Sequence, residues 1–407
     1  MGRLAGRRMS GRPSRLALAV LYCLYLAQSA LAACPSPDLT GDCFVDFEDF
    51  AAMAAQWPTT DFSDIAEIAA HWLTPDPRVP PDMAYMPDGT FEMGDSFGEG
   101  YSDELPVHTV TVDSFYMGKY EITNRQYCDY LNSAMSQGLI TVMSSGAVYK
   151  PGWGADYPYC DTHTGDAESQ IGHSGGVFSV RTKSGRDMAY DPMVQVSWYG
   201  AAAYCNWRSQ QDGYEQCYNL STWNCDFNKK GYRLATEAEW EYAARGGLAE
   251  KRFPWGDTIS QTQANFRSSA SYSYDVSPVK DIFHPLWNDG IWPYTSPVGF
   301  FDGTMKYKAD YQWAGADTSY QTSNGANSYG LYDMAGNVYE WCNDRSAQYS
   351  WLPQTNPTGL TSGSYRVFRG GGWYRFAFHS RVTIRAGRGV PYARSNAIGF
   401  RLVLDLN

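Results

Sequence analysis

This 407-residue chain has no apolar run as long as the roughly 20 residues that a membrane-spanning helix needs, so no transmembrane anchor is expected; the nearest approach, Leu16 to Leu26, is too short. Positive charge is scarce as well. Lys and Arg total 32 against 43 Asp and Glu, a formal net charge of −11, which argues against nucleic acid or an anionic membrane as partner. A disordered majority is also missing: hydrophobic residues make up 43% and the composition is globular. The length exceeds one typical domain of about 100 to 200 residues, so one large domain with a small module is the expected organisation.

The N-terminus carries Arg3, Arg7, Arg8, Arg12 and Arg15 with no acid, then the short apolar run, then Ala30-Leu31-Ala32. That is the layout of a secretory signal over residues 1–32. Its removal takes away five arginines and moves the net charge from −11 to −16, which suits a soluble, cation-binding, exported protein. Leu31-Ala32-Ala33-Cys34 also has the form of a bacterial lipobox, which would place a lipid on Cys34. An oxidising compartment permits disulfides, and the local pairs Cys34 with Cys43 and Cys217 with Cys225 are the ones expected.

Residues 34–74 hold a duplicated helix. Asp46-Phe-Glu-Asp-Phe-Ala-Ala-Met-Ala-Ala-Gln-Trp57 recurs as Asp61-Phe-Ser-Asp-Ile-Ala-Glu-Ile-Ala-Ala-His-Trp72, with apolar residues at the i, i+3, i+4, i+7 spacing of one helical face. Ahead of the first copy, Asp38, Thr40, Asp42, Asp46 and Asp49 have the donor spacing of an EF-hand-type calcium loop, and the segment resembles a dockerin repeat. It departs from that pattern in having Cys43 where the turn needs glycine and Asp49 where the EF-hand has a bidentate Glu, and the second copy has no loop. The alternative is an acidic N-cap region on an ordinary helix. Residues 75–82 are a proline-rich, stiff linker.

The large domain spans 83–407. Met83 to Gly94 and Val107 to Gly118 alternate and are rich in β-branched and aromatic residues, which predicts short strands. Thr123 can cap a helix through Tyr127, Tyr130 and Leu131, a second helix is expected over Gly200 to Arg208, and Thr236-Glu-Ala-Glu239 is a capping box for a third. Long Gly-, Pro-, Tyr- and Trp-rich stretches lie between them, which gives an α+β domain with little regular secondary structure.

Three blocks carry a family resemblance: Gly231-Tyr-Arg-Leu-Ala-Thr-Glu-Ala-Glu-Trp-Glu-Tyr-Ala-Ala-Arg-Gly-Gly247, Gly330-Leu-Tyr-Asp-Met-Ala-Gly-Asn-Val-Tyr-Glu-Trp341, and Arg369-Gly-Gly-Gly-Trp373 leading to Gly399-Phe-Arg401. With Tyr120-Glu-Ile-Thr-Asn124, Val194-Gln-Val-Ser-Trp-Tyr199 and Phe253-Pro-Trp-Gly256 in order between them, the domain resembles the formylglycine-generating enzyme, or sulfatase-modifying factor, family. The resemblance implies a C-type-lectin-like α+β fold and structural calcium. One ion would be held by Asp333, Glu340 and the carbonyls of Gly336 and Val338, and a second by Asn265 with Phe266 and Asp289 with Ile291. Polar turn residues bonding their own backbone are the plainer alternative.

The family's chemistry rests on two cysteines that bind copper(I), activate dioxygen and convert a sulfatase cysteine into formylglycine. Here the matching positions hold Arg375 and Ser380. A guanidinium repels copper(I) and a hydroxyl is too hard for it, so copper is not expected. His379 is adjacent to one position, but a lone histidine usually serves the structure. The positions of a second family cysteine pair hold Arg385 and Leu402, which leaves Cys205 and Cys342 as buried apolar residues. Arg369, Arg381, Arg385, Arg388 and Arg401 form either a structural network or a cleft for an anionic or carbonyl-rich ligand, with Tyr214, Tyr218, Trp223 and Phe227 as its rim or as core cover.

Three readings of function follow. The preferred one is an exported, calcium-stabilised binding or scaffold module without catalysis. The others are an active oxidoreductase with unforeseen ligands, and a carbohydrate-associated component docked to a protein partner through its dockerin-like segment. The expected ligand of such a module is a peptide or a glycan.

Overall fold

The computed structural model describes residues 79–152, 156–163, 165, 167–386 and 389–406. The expected secretory signal, Cys34, Cys43, the expected duplicated helix, the expected donors Asp38, Thr40, Asp42, Asp46 and Asp49, and Arg388 lie outside the described residues. The chain divides into two units, 1–83 and 84–407, and nearly all described residues belong to the second.

The helices start where their caps dictate. Helix α1, Asn124–Ser136, is closed by Thr123, whose hydroxyl accepts from the Gln126 amide at 3.2 Å while Gln126 Oε1 accepts from the Thr123 amide at 2.9 Å. The expected second helix is longer than the sequence suggested. It runs Trp198–Asp212 (α2), because Ser197 Oγ accepts from the Gly200 amide and moves the start upstream. Helix α3, Glu237–Arg245, has the reciprocal Thr236 and Glu239 bonds that its sequence predicts, at 3.1 and 2.8 Å, and stops at Gly246 in the left-handed region. Each such cap stabilises by about 1 kcal/mol.

The strands bring distant segments together. In a four-stranded sheet the order is Met83–Met86, Phe115–Gly118, Val403–Leu404, Tyr232–Arg233, so the C-terminal strand is inserted between early segments. A second sheet is centred on Tyr339–Arg345, with Arg366–Arg369 antiparallel on one side and Ile398–Gly399 parallel on the other. Its register sets Glu340 opposite both Arg369 and Gly399, which draws the three family blocks to one place. Trp240, Met117, Val110, Cys342, Val367 and Val403 fill the core between helix α3 and these sheets. A second core gathers Trp287, Tyr294, Phe300, Trp313 and Trp373 under the irregular stretches.

Buried arginines tie the irregular segments down. Arg401 clamps Glu340 with two bonds of 2.6 Å, Arg381 clamps Glu104 at 3.0 and 2.9 Å, and Arg385 clamps Glu237 at 2.6 and 2.8 Å. Arg369 pairs with Glu241 and donates to the carbonyls of Thr383 and Ile384, both at 2.7 Å. Each guanidinium is therefore committed to a carboxylate, which is the structural network and not the ligand cleft. The aromatic insertion likewise covers core: Trp223 is packed on Tyr157 and Tyr199, and the Tyr218 hydroxyl donates to Asn343 Oδ1 at 3.0 Å. One sequence expectation fails. Cys217 and Cys225 are free thiols, because the paired strands Tyr218–Asn219 and Asn224–Cys225 set Cys225 opposite Tyr218 and leave Cys217 one residue out of register.

Candidate functional site

The C-terminal segment turns through Gly370 and Gly371, both at positive φ, and packs against the 333–340 turn: the Gly336 amide donates to the Gly370 carbonyl at 2.7 Å and the Trp373 amide to the Asn337 carbonyl at 2.7 Å. A Cβ on Gly371 would stand 2.7 Å from Ser380 Oγ, so the glycine lets the short 3-10 turn Ala377–Ser380 fold back onto the segment. The Ser380 side chain is fully buried and its hydroxyl has no partner. The Arg375 guanidinium lies 4.6 Å from the Tyr374 ring, a cation–π contact that holds it over the segment. Burial, then Arg375 and Arg381, push the His379 pKa down to about 4, so its imidazole is neutral at physiological pH, and its Nδ1 has no partner.

No cysteine lies in the segment from Arg369 onward. Cys128, Cys160, Cys205, Cys217 and Cys342 are buried and Cys225 is half-buried. Burial pushes the Cys128 and Cys217 thiols up to about 11 and the Cys225 thiol to about 12, and raises Cys205 and Cys342 well above the ordinary value. None is poised as the thiolate that soft-metal chemistry needs.

Beside the segment is a buried charge cluster. Glu340 has Arg401 on both oxygens and also accepts the Trp240 indole N–H at 2.8 Å. Asp333, itself at φ 58°, accepts the Gly299 amide at 2.7 Å, and burial with Glu340 nearby pushes it up to about 6. Glu121 has one oxygen accepting from the Asn337 side-chain Nδ2 at 3.2 Å and the other without a partner; burial, then Asp333 and Glu340, raise its pKa well above the usual carboxylate value. Three carboxylates thus face one guanidinium. That excess fits a divalent cation electrostatically. Among the described residues no three His, Cys, Asp or Glu side chains converge tightly enough to hold a metal alone. A cation here therefore needs backbone oxygens, for which the Gly336 and Val338 carbonyls are the candidates. Glu121 was missed in the sequence, although it lies in the quoted Tyr120-to-Asn124 block: nothing local signals a carboxylate whose neighbours are more than 200 positions away.

The second donor set is divided. Asn265 donates to the Tyr294 carbonyl at 2.8 Å and the Phe266 carbonyl accepts from the Gln261 amide at 2.9 Å, whereas Asp289 and Ile291 face Lys183. The Asn265 Oδ1 oxygen, for its part, is buried and has no partner.

A cleft of about 240 Å³ is lined by Glu237, Asp344, Gln348, Tyr349, Leu360 and Arg385 among others. Burial, then Glu237, push Asp344 up to about 8.

The raised carboxylates give a signed prediction. An acid whose folded pKa lies above its unfolded value stabilises below the unfolded pKa, and that stability is lost as pH rises through the folded pKa. Glu239 and Glu241, lowered by their arginines in spite of burial, act the other way, so the informative quantity is a difference between variants. Without calcium, Glu121→Gln is expected to gain stability relative to the native chain as pH rises from about 5 to about 7.5, by roughly 1–3 kcal/mol. Urea unfolding at both pH values checks it, and a pH-independent difference would contradict the buried-charge account.

Residues 70–406 match the family described as Sulfatase-modifying factor enzyme 1-like domain. The chain belongs to that family. The formylglycine-generating enzyme of Streptomyces coelicolor is 28% identical over 339 residues, covering 81% of this chain and 91% of that protein. The inactive C-alpha-formylglycine-generating enzyme 2 of Bos taurus is 26% identical over 336 residues, 78% of this chain and 86% of that one. The serine/threonine-protein kinase pkn1 of Chlamydia caviae is 30% identical over 328 residues, 79% of this chain and 37% of that protein, so the chain spans well under half the kinase's length. No helix of the described residues is long and apolar enough to cross a membrane.

Proposed function

We propose that this family member does not oxidise thiols and acts as an exported binding or scaffold module stabilised by calcium. The observation that carries the reading is the pair Arg375 and Ser380 at the positions where the resemblance requires thiolates, with every described cysteine elsewhere, protonated and at least half-buried. A guanidinium and an un-ionised hydroxyl cannot hold copper(I). The inactive relative named above is consistent with loss of catalysis within the family.

Calcium, when bound, supplies positive charge to a buried acidic turn and no redox chemistry. Glu121, Asp333 and Glu340 would share it with the Gly336 and Val338 carbonyls, and the orphaned Glu121 oxygen is the observation in favour. For the ligand, a peptide or glycan is favoured: beyond the 240 Å³ cleft, the 346–365 segment exposes Trp351 and Leu352, at 84% and 71%, an apolar surface of the kind that stacks on such ligands.

The test is mass spectrometry of a sulfatase-type cysteine peptide incubated with the protein, copper and oxygen, beside an Arg375→Cys/Ser380→Cys double variant. No formylglycine is expected from the native chain. Formylglycine from it would overturn the reading and turn attention to the neutral His379 as a metal ligand.

A further inference from the structure

We infer that Lys183 is a built-in cation: its ammonium fills a hard-cation site formed by the 289–293 segment, and removing it turns that segment into a calcium site. The inference is independent of the Glu121 cluster and of whether the chain is catalytic.

Lys183 stands on a two-stranded hairpin, Thr182–Lys183 with Arg186–Asp187, and is 7% exposed. Its Nζ donates to the Ile291 carbonyl at 3.1 Å and to the Pro293 carbonyl, and lies 3.6 Å from Asp289 Oδ2. Asp289 is aimed by its other oxygen, which accepts the Ile291 amide at 3.0 Å. One carboxylate and two carbonyls within five residues, all directed at one point, are what a hard cation takes from a turn. An ammonium, a compact point charge with three donors, meets the same oxygens.

The neighbouring charges are already matched. Arg186 clamps Asp191 at 2.6 and 2.9 Å, donates to the Thr295 carbonyl at 3.2 Å and lies 4.9 Å from the Trp287 ring, so Asp191 is not free to serve a second cation. A divalent ion added beside Lys183 would leave three positive charges on Asp289 alone. Ammonium and metal therefore exclude each other. Burial pulls the Lys183 pKa down to about 8 against the pull of Asp289, which still leaves it mostly charged at neutral pH.

The experiment is terbium(III) luminescence of the full chain at neutral pH, excited through the tryptophans, with calcium as competitor. Lys183→Ala is expected to gain one binding event over the native chain, with a calcium Kd of roughly 0.1 to 1 mM, the range of weak extracellular modules. Lys183→Ala/Asp289→Asn should lose that gain, and Asp289→Asn alone should leave native binding unchanged. Native binding abolished by Asp289→Asn would overturn the inference, as would no gain in Lys183→Ala. Should Lys183→Ala melt without cooperativity in EGTA, a cooperative melt restored by calcium, and not in the double variant, supports it; no restoration overturns it.

Discussion

Replacing Arg401 with methionine is expected to destabilise the folded domain by about 3–5 kcal/mol, the range for breaking a buried ion pair from one side. Arg401 is 1% exposed, holds both oxygens of Glu340, and donates to the Gly118 and Tyr332 carbonyls at 3.0 and 2.9 Å. Methionine leaves Glu340 buried beside Glu121 and Asp333 with no cation, and leaves two carbonyls short of a donor. Removing both partners should be milder, because no charge is stranded: Arg401→Met/Glu340→Gln is expected to recover more than half of the loss. Urea unfolding of the three proteins measures this. A single-variant cost below about 1 kcal/mol would mean that the pair is solvated and not the tie that the geometry describes.

Gly336→Ala is expected to cost about 2–5 kcal/mol, combining a strained backbone with overpacking. Gly336 sits at φ 90°, and a Cβ there would come within 2.5 Å of the Asn265 carbonyl oxygen, a backbone atom that cannot rotate away. The Asn337 amide also donates to that carbonyl at 2.7 Å, so relief by separation breaks a buried hydrogen bond. Because the same turn carries the candidate cation donors, calcium should raise the melting temperature of the variant less than that of the native chain. Calorimetry with calcium and with EGTA provides the check; an unchanged melt in both would place the strain elsewhere.

Local signals were legible where the physics is local. The Thr236 and Glu239 reciprocal cap involves residues three apart, and the structure has it. The start of α2 was misjudged because Ser197 also donates to the Pro158 carbonyl, a tertiary bond that fixes the cap from outside the helix. The arginines of the C-terminal segment could be read as network or as cleft, since their carboxylate partners Glu104, Glu237, Glu241 and Glu340 are 61 to 277 positions away. The same holds for Asp289 and Ile291: their oxygens suit a metal, and only the fold reveals that Lys183, more than 100 positions upstream, already meets them.

The sequence by itself determined the family and the capped helices, and it has Arg375 and Ser380 where the resemblance expects the two thiols, because each depends on residue identity or on neighbours within a few positions. The tertiary structure alone decided which charges are matched: Glu340 by Arg401, Asp289 by Lys183, and Glu121 by too little. Charge matching depends on distance and burial, and in a domain of short strands and long irregular segments both are set by contacts between residues far apart in the chain.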